Sequence, residues 1–369
     1  MTQRERFVGV AGGELRGEVY LPCDLNYAWF MPETLERWRT EGLPPEADAV
    51  EHFGLDRVAF TGGGPYSLVP PFEVEILEED AETRIIRDEA GATQRLFKHH
   101  GDSKMPQWLD YPVKSRADFE ALKRPLDPTT PSRYPADSNA FAERWQNRDV
   151  PLGLGPGSFY GHTLQRWVGT EHLCVLFHDD PALVHEMLEY LEGFFLALLQ
   201  RFLDPAGPLG GRVQFDFASF GEDIAYKGRS FLSPAMFRQF IQPHYRPLVG
   251  LMRASGIELI FVDSDGYLDE LIPLWLEVGI NGFSPLEVAA GMDAEALQAR
   301  YGEDIVLAGG IDKRALTQGQ PAIDAEVEKV RRLIERGRYF PAVDHSVPPD
   351  VPYGHFRYLV DRLRSLAGG

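Results

Sequence analysis

Apolar and polar positions follow one another along this chain in a repeating two-part pattern. Short apolar runs that stop at Gly, Pro, Asp or His occur at Glu18 to Cys23, Arg57 to Thr61, Val150 to Leu154, Arg212 to Asp216, Leu259 to Asp263, Asn281 to Ser284, Ile305 to Ala308 and Tyr339 to Val343. After most of them the spacing changes to that of an amphipathic helix, which predicts repeated βα units and a parallel sheet. Eight such units predict an α/β fold closed as a (β/α)8 TIM barrel. The helical stretches carry matching end signals. Pro32 opens one that stops at Gly42, and Asp180-Pro181 opens the longest, which has a wide apolar stripe and no proline beyond its start. Ser233-Pro234 opens another, and Asp293, Asp324 and Pro352 stand at or near the starts of three more.

One region departs from the repeat. Between the second and third runs, FEVEILEEDAETRIIRDEAGATQRLF alternates and carries turn residues near Glu89 to Ala92, predicting an antiparallel β-hairpin. A helical, proline-punctuated stretch follows from Ser115 to about Asn147. Residues 65–147 therefore read as an insertion after the second strand, placed to cap the mouth of a single barrel domain over 1–369.

Composition narrows the class. The 369 residues are 44% hydrophobic and 25% charged, as in globular proteins, and no apolar run approaches a membrane span. The first residues hold no apolar stretch of signal-peptide length, and Cys23 and Cys174 offer no disulfide framework, so a reducing cytoplasm is expected. A formal charge of -19 sets aside nucleic acid and anionic membranes as partners.

Residues just after the strands of a barrel converge on one mouth. Here they are Asp24, Gly62 to Gly64, Gly155 to Gly161, Asp216, Asp263 with Asp265, Glu287, Asp312 and His345. The sharpest signal is IELIFVDSDG, Ile257 to Gly266, a buried-strand pattern ending in two carboxylates separated by Ser264. An extended chain aims both the same way, and like charges in one space call for a cation, a shared proton or a basic substrate. Tyr27, Trp29, Phe30, Phe159, Tyr160, Phe217 and Phe220 are expected to form an aromatic rim, which with carboxylates suits a divalent metal or an organic cation. Candidate catalytic residues are Asp263, His345, Glu287 and Asp216; candidate substrate contacts are Tyr27, Trp29, Phe159, Tyr160, His162 and Asp312. Structural readings compete with these. Asp263, Asp265 or Asp312 could instead cap the helix that follows, and Glu222, Asp223 and Lys227 read as a loop with an internal salt bridge. His99 and His100 read as solvated, and Gly62 to Gly64 lacks the Lys-Ser/Thr of a P-loop.

The stretches GEDIAYKGRSFLSPAMFRQFIQPHYRPL, LAGGIDKRAL, AVDHSVPPDVPYGHFRYLVDRL and LNYAWFMPETLERWRTEGLP together resemble the uroporphyrinogen decarboxylase superfamily. That group contains true uroporphyrinogen decarboxylases, corrinoid-linked methyltransferases and unassigned relatives, and its (β/α)8 barrel agrees with the strand count. In its zinc-dependent methyltransferases a His-x-Cys after a late strand and a Cys after the last hold zinc that activates a thiol. Asp263-Ser264-Asp265 and His345 stand at those places, so the resemblance implies metal ligands Asp263, Asp265 and His345, suited to a harder metal or a more Lewis-acidic zinc. True decarboxylases of the group carry an N-terminal arginine cluster for the porphyrinogen propionates. Asn26 to Phe30 has no arginine, which sets the octacarboxylate substrate aside, although their last-strand histidine matches His345.

The leading expectation is thus a metal-assisted methyltransferase acting on a small methylated substrate, with a corrinoid carried on a partner protein. The alternative is a metal-free decarboxylase or other lyase in which Asp263, His345 and Glu287 handle protons. A non-catalytic barrel that binds an amine is the third reading, and a homodimer stays open.

Overall fold

The computed structural model describes residues 1–23, 25, 30–62, 66–98, 106–207, 209 and 211–367. Its principal strands are β1 (Pro22–Cys23), β2 (Ala59–Gly62), β3 (Leu152–Gly155), β4 (Phe217–Gly221), β5 (Ile260–Asp263), β6 (Gly282–Ser284), β7 (Val306–Ala308) and β8 (Tyr339–Phe340). The last seven form one parallel sheet in the order β8-β7-β6-β5-β4-β3-β2. β1 pairs in parallel with Asp56–Arg57, just before β2, and a parallel bridge from Phe30 to Val347 brings the chain after β1 beside the chain after β8. The sheet therefore curls towards closure, and the fold is the expected TIM-barrel type.

Short strands curl because their inner faces must be filled. Phe217, Phe261, Val306, Ala308 and Phe340 pack there with Tyr20 and Leu25. Gly153 and Gly282 make room for the rings, since a Cβ would lie 2.4 Å from Phe217 or 2.5 Å from Phe261. The N-terminal end is plugged by Phe7, stacked on Phe340 at 4.8 Å, from helix Gln3–Gly12, whose start is fixed by a capping box between Thr2 and Glu5. Outside the sheet lie the amphipathic helices, the longest being Pro181–Leu203 with Asp180 as its N-cap. Among the described residues no helix is long and apolar enough to cross a membrane.

Two expectations change. The fourth strand begins at Phe217, one residue after the place where the sequence pattern ends it, so Asp216 lies at the N-terminal end of the barrel and not at its mouth. The expected hairpin is part of a four-stranded antiparallel sheet made by Glu75–Glu79, Thr83–Arg87, Thr93–Phe97 and Gln107–Asp110. Helices Arg116–Leu122 and Ser138–Gln146 follow before β3.

Candidate active site at the barrel mouth

β4 and β5 stay paired to their C-terminal ends, where the Glu222 N–H donates to the Asp263 carbonyl at 2.7 Å. The chain then turns at Asp223, which adopts φ +39°, a conformation that aspartate tolerates better than most residues. That turn sends the two acidic side chains to different places. The buried Glu222 carboxylate accepts the N–H groups of Phe159, at 2.9 Å, and Tyr160, at 2.8 Å, tying the loop after β3 to the loop after β4. Gly161 permits this approach, because a Cβ there would meet the Glu222 carbonyl oxygen at 2.3 Å. Burial outweighs those hydrogen bonds and pushes Glu222 up to about 7.

Asp223 faces the mouth. Its carboxylate lies 3.8 Å from His162 Nε2 and accepts the Asp265 N–H at 3.4 Å. Asp265 in turn lies 3.4 Å from His345 Nε2. The four side chains thus form a row from His162 through Asp223 and Asp265 to His345. Desolvation, then the Asp265 charge, raises Asp223, whereas the hydrogen bond that the His345 ring donates to the Asp265 carboxylate raises His345. Beside the row stands Asp263, the last residue of β5. Among the described residues no hydrogen-bond donor reaches its carboxyl, and desolvation together with the charges of Asp223 and Asp265 pushes it well above the carboxylate range. Ser264 is buried between the two aspartates and accepts the Ile224 N–H at 3.0 Å, which bends the chain so that Asp265 emerges towards His345.

A second group closes the mouth on the side of β6 and β7. Glu287 accepts the Gly266 N–H at 2.9 Å and lies 3.9 Å from the Lys313 ammonium. Asp344, buried next to His345, accepts the N–H groups of Val288 and Lys313, both at 3.1 Å, and so staples those loops together.

The structure thus gathers Asp263, Asp265, His345, Glu287 and His162. Other expected residues lie elsewhere. Asp216 is held at the opposite end by Arg4, at 2.7 Å, Arg148, at 2.6 Å, and the Leu152 N–H, at 2.8 Å. Phe159 is core, edge-on to Phe195 and Tyr245, and Tyr160 is buried against Phe231, so the backbone of these residues and not their rings serves the site. Phe217 fills the barrel and Phe220 packs on Tyr245, so no rim forms from them. Asp312 is clasped by Arg314 through Nε at 2.8 Å and Nη2 at 2.7 Å. Tyr27, Trp29, Asp24, Gly63, Gly64, His99 and His100 lie outside the described residues. The sequence pattern reads Glu222 and Asp223 as a loop with an internal salt bridge; ending the fourth strand at Phe220 or Gly221 is the signal that puts them at the mouth.

As donors, these carboxylates and imidazoles suit a hard cation. Among the described residues, however, no three His, Cys, Asp or Glu side chains converge as a metal's ligands do. Cys23 is buried and Cys174 lies on helix Thr170–Asp179, so neither thiol stands with the row. What the row can do unaided is hold and pass protons, and accept hydrogen bonds from a cationic or N–H-bearing ligand.

Residues 99–366 match the family model for uroporphyrinogen decarboxylase (URO-D). A uroporphyrinogen decarboxylase from Thermus thermophilus is 23% identical over 69% of this chain and 71% of its own length. Another, from Maricaulis maris, is 28% identical over 36% of the chain, which covers 37% of that relative's length. Among solved structures, a methyltransferase from Methanosarcina mazei superposes with a TM-score of 0.58 and 15% identity over 99% of both chains.

Proposed function

The chain belongs to the uroporphyrinogen decarboxylase family, and from that premise we propose that it is a metal-independent lyase that decarboxylates a small substrate bearing an N–H or ammonium group. The observation that carries this reading is Asp263, a desolvated carboxyl that no hydrogen-bond donor reaches among the described residues, set beside two further carboxylates. Burial and its neighbours' charges make such a group hold its proton to higher pH than an ordinary carboxyl does, which suits it to act as a general acid. In the reaction the bond to the substrate carboxylate breaks, CO2 leaves, and the electron pair stays on carbon, held by the substrate's own unsaturation. The Asp263 proton then forms the new C–H bond, and Asp265 and His345 relay a replacement proton from solvent. The balance is R–COO⁻ + H⁺ → R–H + CO2. Asp223 and Asp265 meanwhile accept hydrogen bonds from the substrate's N–H or ammonium group.

The test is turnover of a panel of carboxylated amines and N-heterocycles in D2O, following CO2 and the label by NMR. One deuterium per CO2, at the carbon that lost it, is expected, with turnover falling about 100-fold or more in Asp263→Asn. Turnover that survives this substitution unchanged overturns the proposal.

Methyl transfer is the second reading, with a divalent metal such as zinc on Asp263, Asp265 and His345 and a corrinoid on a partner protein. It draws on the hard donor set and the Asp265 to His345 contact. When bound, such a metal supplies Lewis acidity. Elemental analysis of protein purified without added metal separates the two readings: about one equivalent, lost in His345→Ala, favours the second.

A further inference from the structure

Between the barrel mouth and the inserted sheet runs a cleft of about 610 Å³, lined among others by Tyr66, Asp88, Gln94, His162 and Arg166. That volume is in the range of small-molecule sites. His162 belongs to the cleft and also reaches Asp223, so the cleft opens directly onto the row of carboxylates.

Arg166 is held in this cleft as a fixed plate. Its guanidinium lies 4.1 Å above the centre of the Trp108 ring, and Nη2 donates to Asp88 at 3.0 Å. Asp88 is itself immobilised, since it accepts the N–H groups of Ala90, at 3.0 Å, and Ala92, at 2.9 Å, and the Gln94 amide at 3.2 Å. Here the Arg166 side chain is 35% exposed, and its Nε and Nη1 donors find no acceptor among the described residues. Also lining the cleft is Tyr66, whose hydroxyl has no hydrogen-bond partner among the described residues and lies against the end of β3, where a Cβ on Gly155 would come within 3.1 Å of it. A planar, pre-oriented guanidinium with spare donors is built to receive a carboxylate. Because Arg166 already shares its charge with Asp88, a monoanion fits it better than a phosphate dianion. The mouth, where Asp223 and Asp265 accept hydrogen bonds from an N–H or ammonium group, favours the amine-bearing end of the substrate, so the two ends of the site impose different charge preferences and hence one orientation.

We propose that this cleft is a distal subsite in which Arg166, assisted by the Tyr66 hydroxyl, binds a second carboxylate of the substrate. The substrate is then an amine or N–H compound with an acidic group at its far end. This assignment rests on the reading that the mouth receives the basic, reacting end.

The test is calorimetric titration at pH 7.5 with ω-amino carboxylates from 4-aminobutanoate to 8-aminooctanoate, their terminal carboxamides, and n-alkylamines of the same lengths. Affinity is expected to peak at one chain length. At that length the carboxamide binds about ten- to a hundredfold more weakly, the effect of losing a charge-assisted hydrogen bond. Arg166→Gln brings the amino carboxylate down to the level of the carboxamide and leaves the alkylamines unchanged. Equal binding of carboxylate and carboxamide to the parent protein overturns the subsite, as does a preference that survives Arg166→Gln. If Arg166→Gln does not fold, the parent comparison alone decides. Failure of the mouth reading looks different: the carboxylate preference persists and depends on Arg166, but alkylamine binding is indifferent to Asp265→Asn.

Discussion

The two ends of the barrel each hold an aspartate against a β-strand terminus, and they treat it in opposite ways. At the N-terminal end the Asp216 side chain, 3% exposed, meets Arg4, Arg148 and a backbone N–H, so both of its oxygens are engaged. At the C-terminal end Asp263 meets other carboxylates and no donor among the described residues. A carboxylate with every lone pair satisfied can only hold structure. One left desolvated and unpaired is costly to keep, and that cost marks a place where protein chemistry is used on something else.

The largest expected effects come from removing each aspartate in turn. Asp216→Ala leaves the Arg148 charge, 5% exposed, without its partner, and should lower stability by about 3–5 kcal/mol in urea unfolding. Asp263→Asn should do the reverse. Because the folded state keeps a proton that the unfolded chain gives up near the ordinary carboxylate pKa, the parent's stability falls as pH rises above that value. Replacing Asp263 by the neutral amide removes the fall, so the variant gains on the parent as pH increases, while turnover drops about 100-fold to 10,000-fold. Equal stability losses in the two variants would erase the distinction between the ends.

Glu222 sharpens the comparison, since it has donors and is still pushed up to about 7. Between its ordinary value of 4.5 and 7 the folded protein binds the extra proton, so this group alone lowers stability by on the order of 3 kcal/mol as pH rises across that window. Glu222→Gln should flatten that slope when urea midpoints are compared at pH 5 and pH 8. It should also weaken the hold on the Phe159 and Tyr160 N–H groups at both pH values. A slope unchanged from the parent would show that the carboxylate is accommodated in its ionised form.

The same contrast explains what the sequence pattern could and could not reveal. Seven of the eight apolar runs overlap the barrel strands, and Asp263, Asp265 and His345 follow from placing residues at strand ends. The pattern ends the fourth run at Asp216 because an aspartate after apolar residues looks like a stop. Its partners Arg4 and Arg148 lie 212 and 68 residues away in the chain, so nothing local shows that the charge is neutralised and that the strand begins there. That shift leaves Glu222 and Asp223 reading as a plain loop, although Asp223 is one of the two carboxylates of the row and Glu222 ties the loop after β3 to the loop after β4. The aromatic residues failed for a related reason. Gly161 lets two loops meet so closely that Phe159 and Tyr160 turn into the core, an outcome set by tertiary contact and not by spacing.

A smaller effect tests whether the row works as a unit. His345 is raised above its usual value by its hydrogen bond with Asp265, so it stays charged to higher pH than a free histidine. The stability this adds is present below the unfolded pKa of histidine and is lost as pH rises through the folded value. Asp265→Asn should therefore lower the His345 midpoint in an NMR titration of its ring protons, and should move the corresponding limb of the pH–rate profile the same way. A midpoint indifferent to Asp265 would separate the two residues and leave Asp263 without its relay.

The smallest effect concerns Asp312, expected from sequence to touch substrate. Arg314 is 58% exposed and binds both Asp312 oxygens two residues away, within one turn of chain. Exposed pairs of this kind contribute about 0–1 kcal/mol, because water solvates the freed guanidinium and salt screens the attraction. Arg314→Ala should thus cost less than about 1 kcal/mol in urea, and Asp312→Asn should leave the affinity for the amino carboxylates within about twofold, well short of the tenfold or more that a lost charge-assisted hydrogen bond removes. Asp312 then falls on the same side as Asp216, a carboxylate whose partner is supplied by the protein itself. Should Asp312→Asn weaken ligand binding tenfold instead, the Arg314 clasp opens when ligand arrives, and engagement of both oxygens no longer distinguishes structural from functional carboxylates in this barrel.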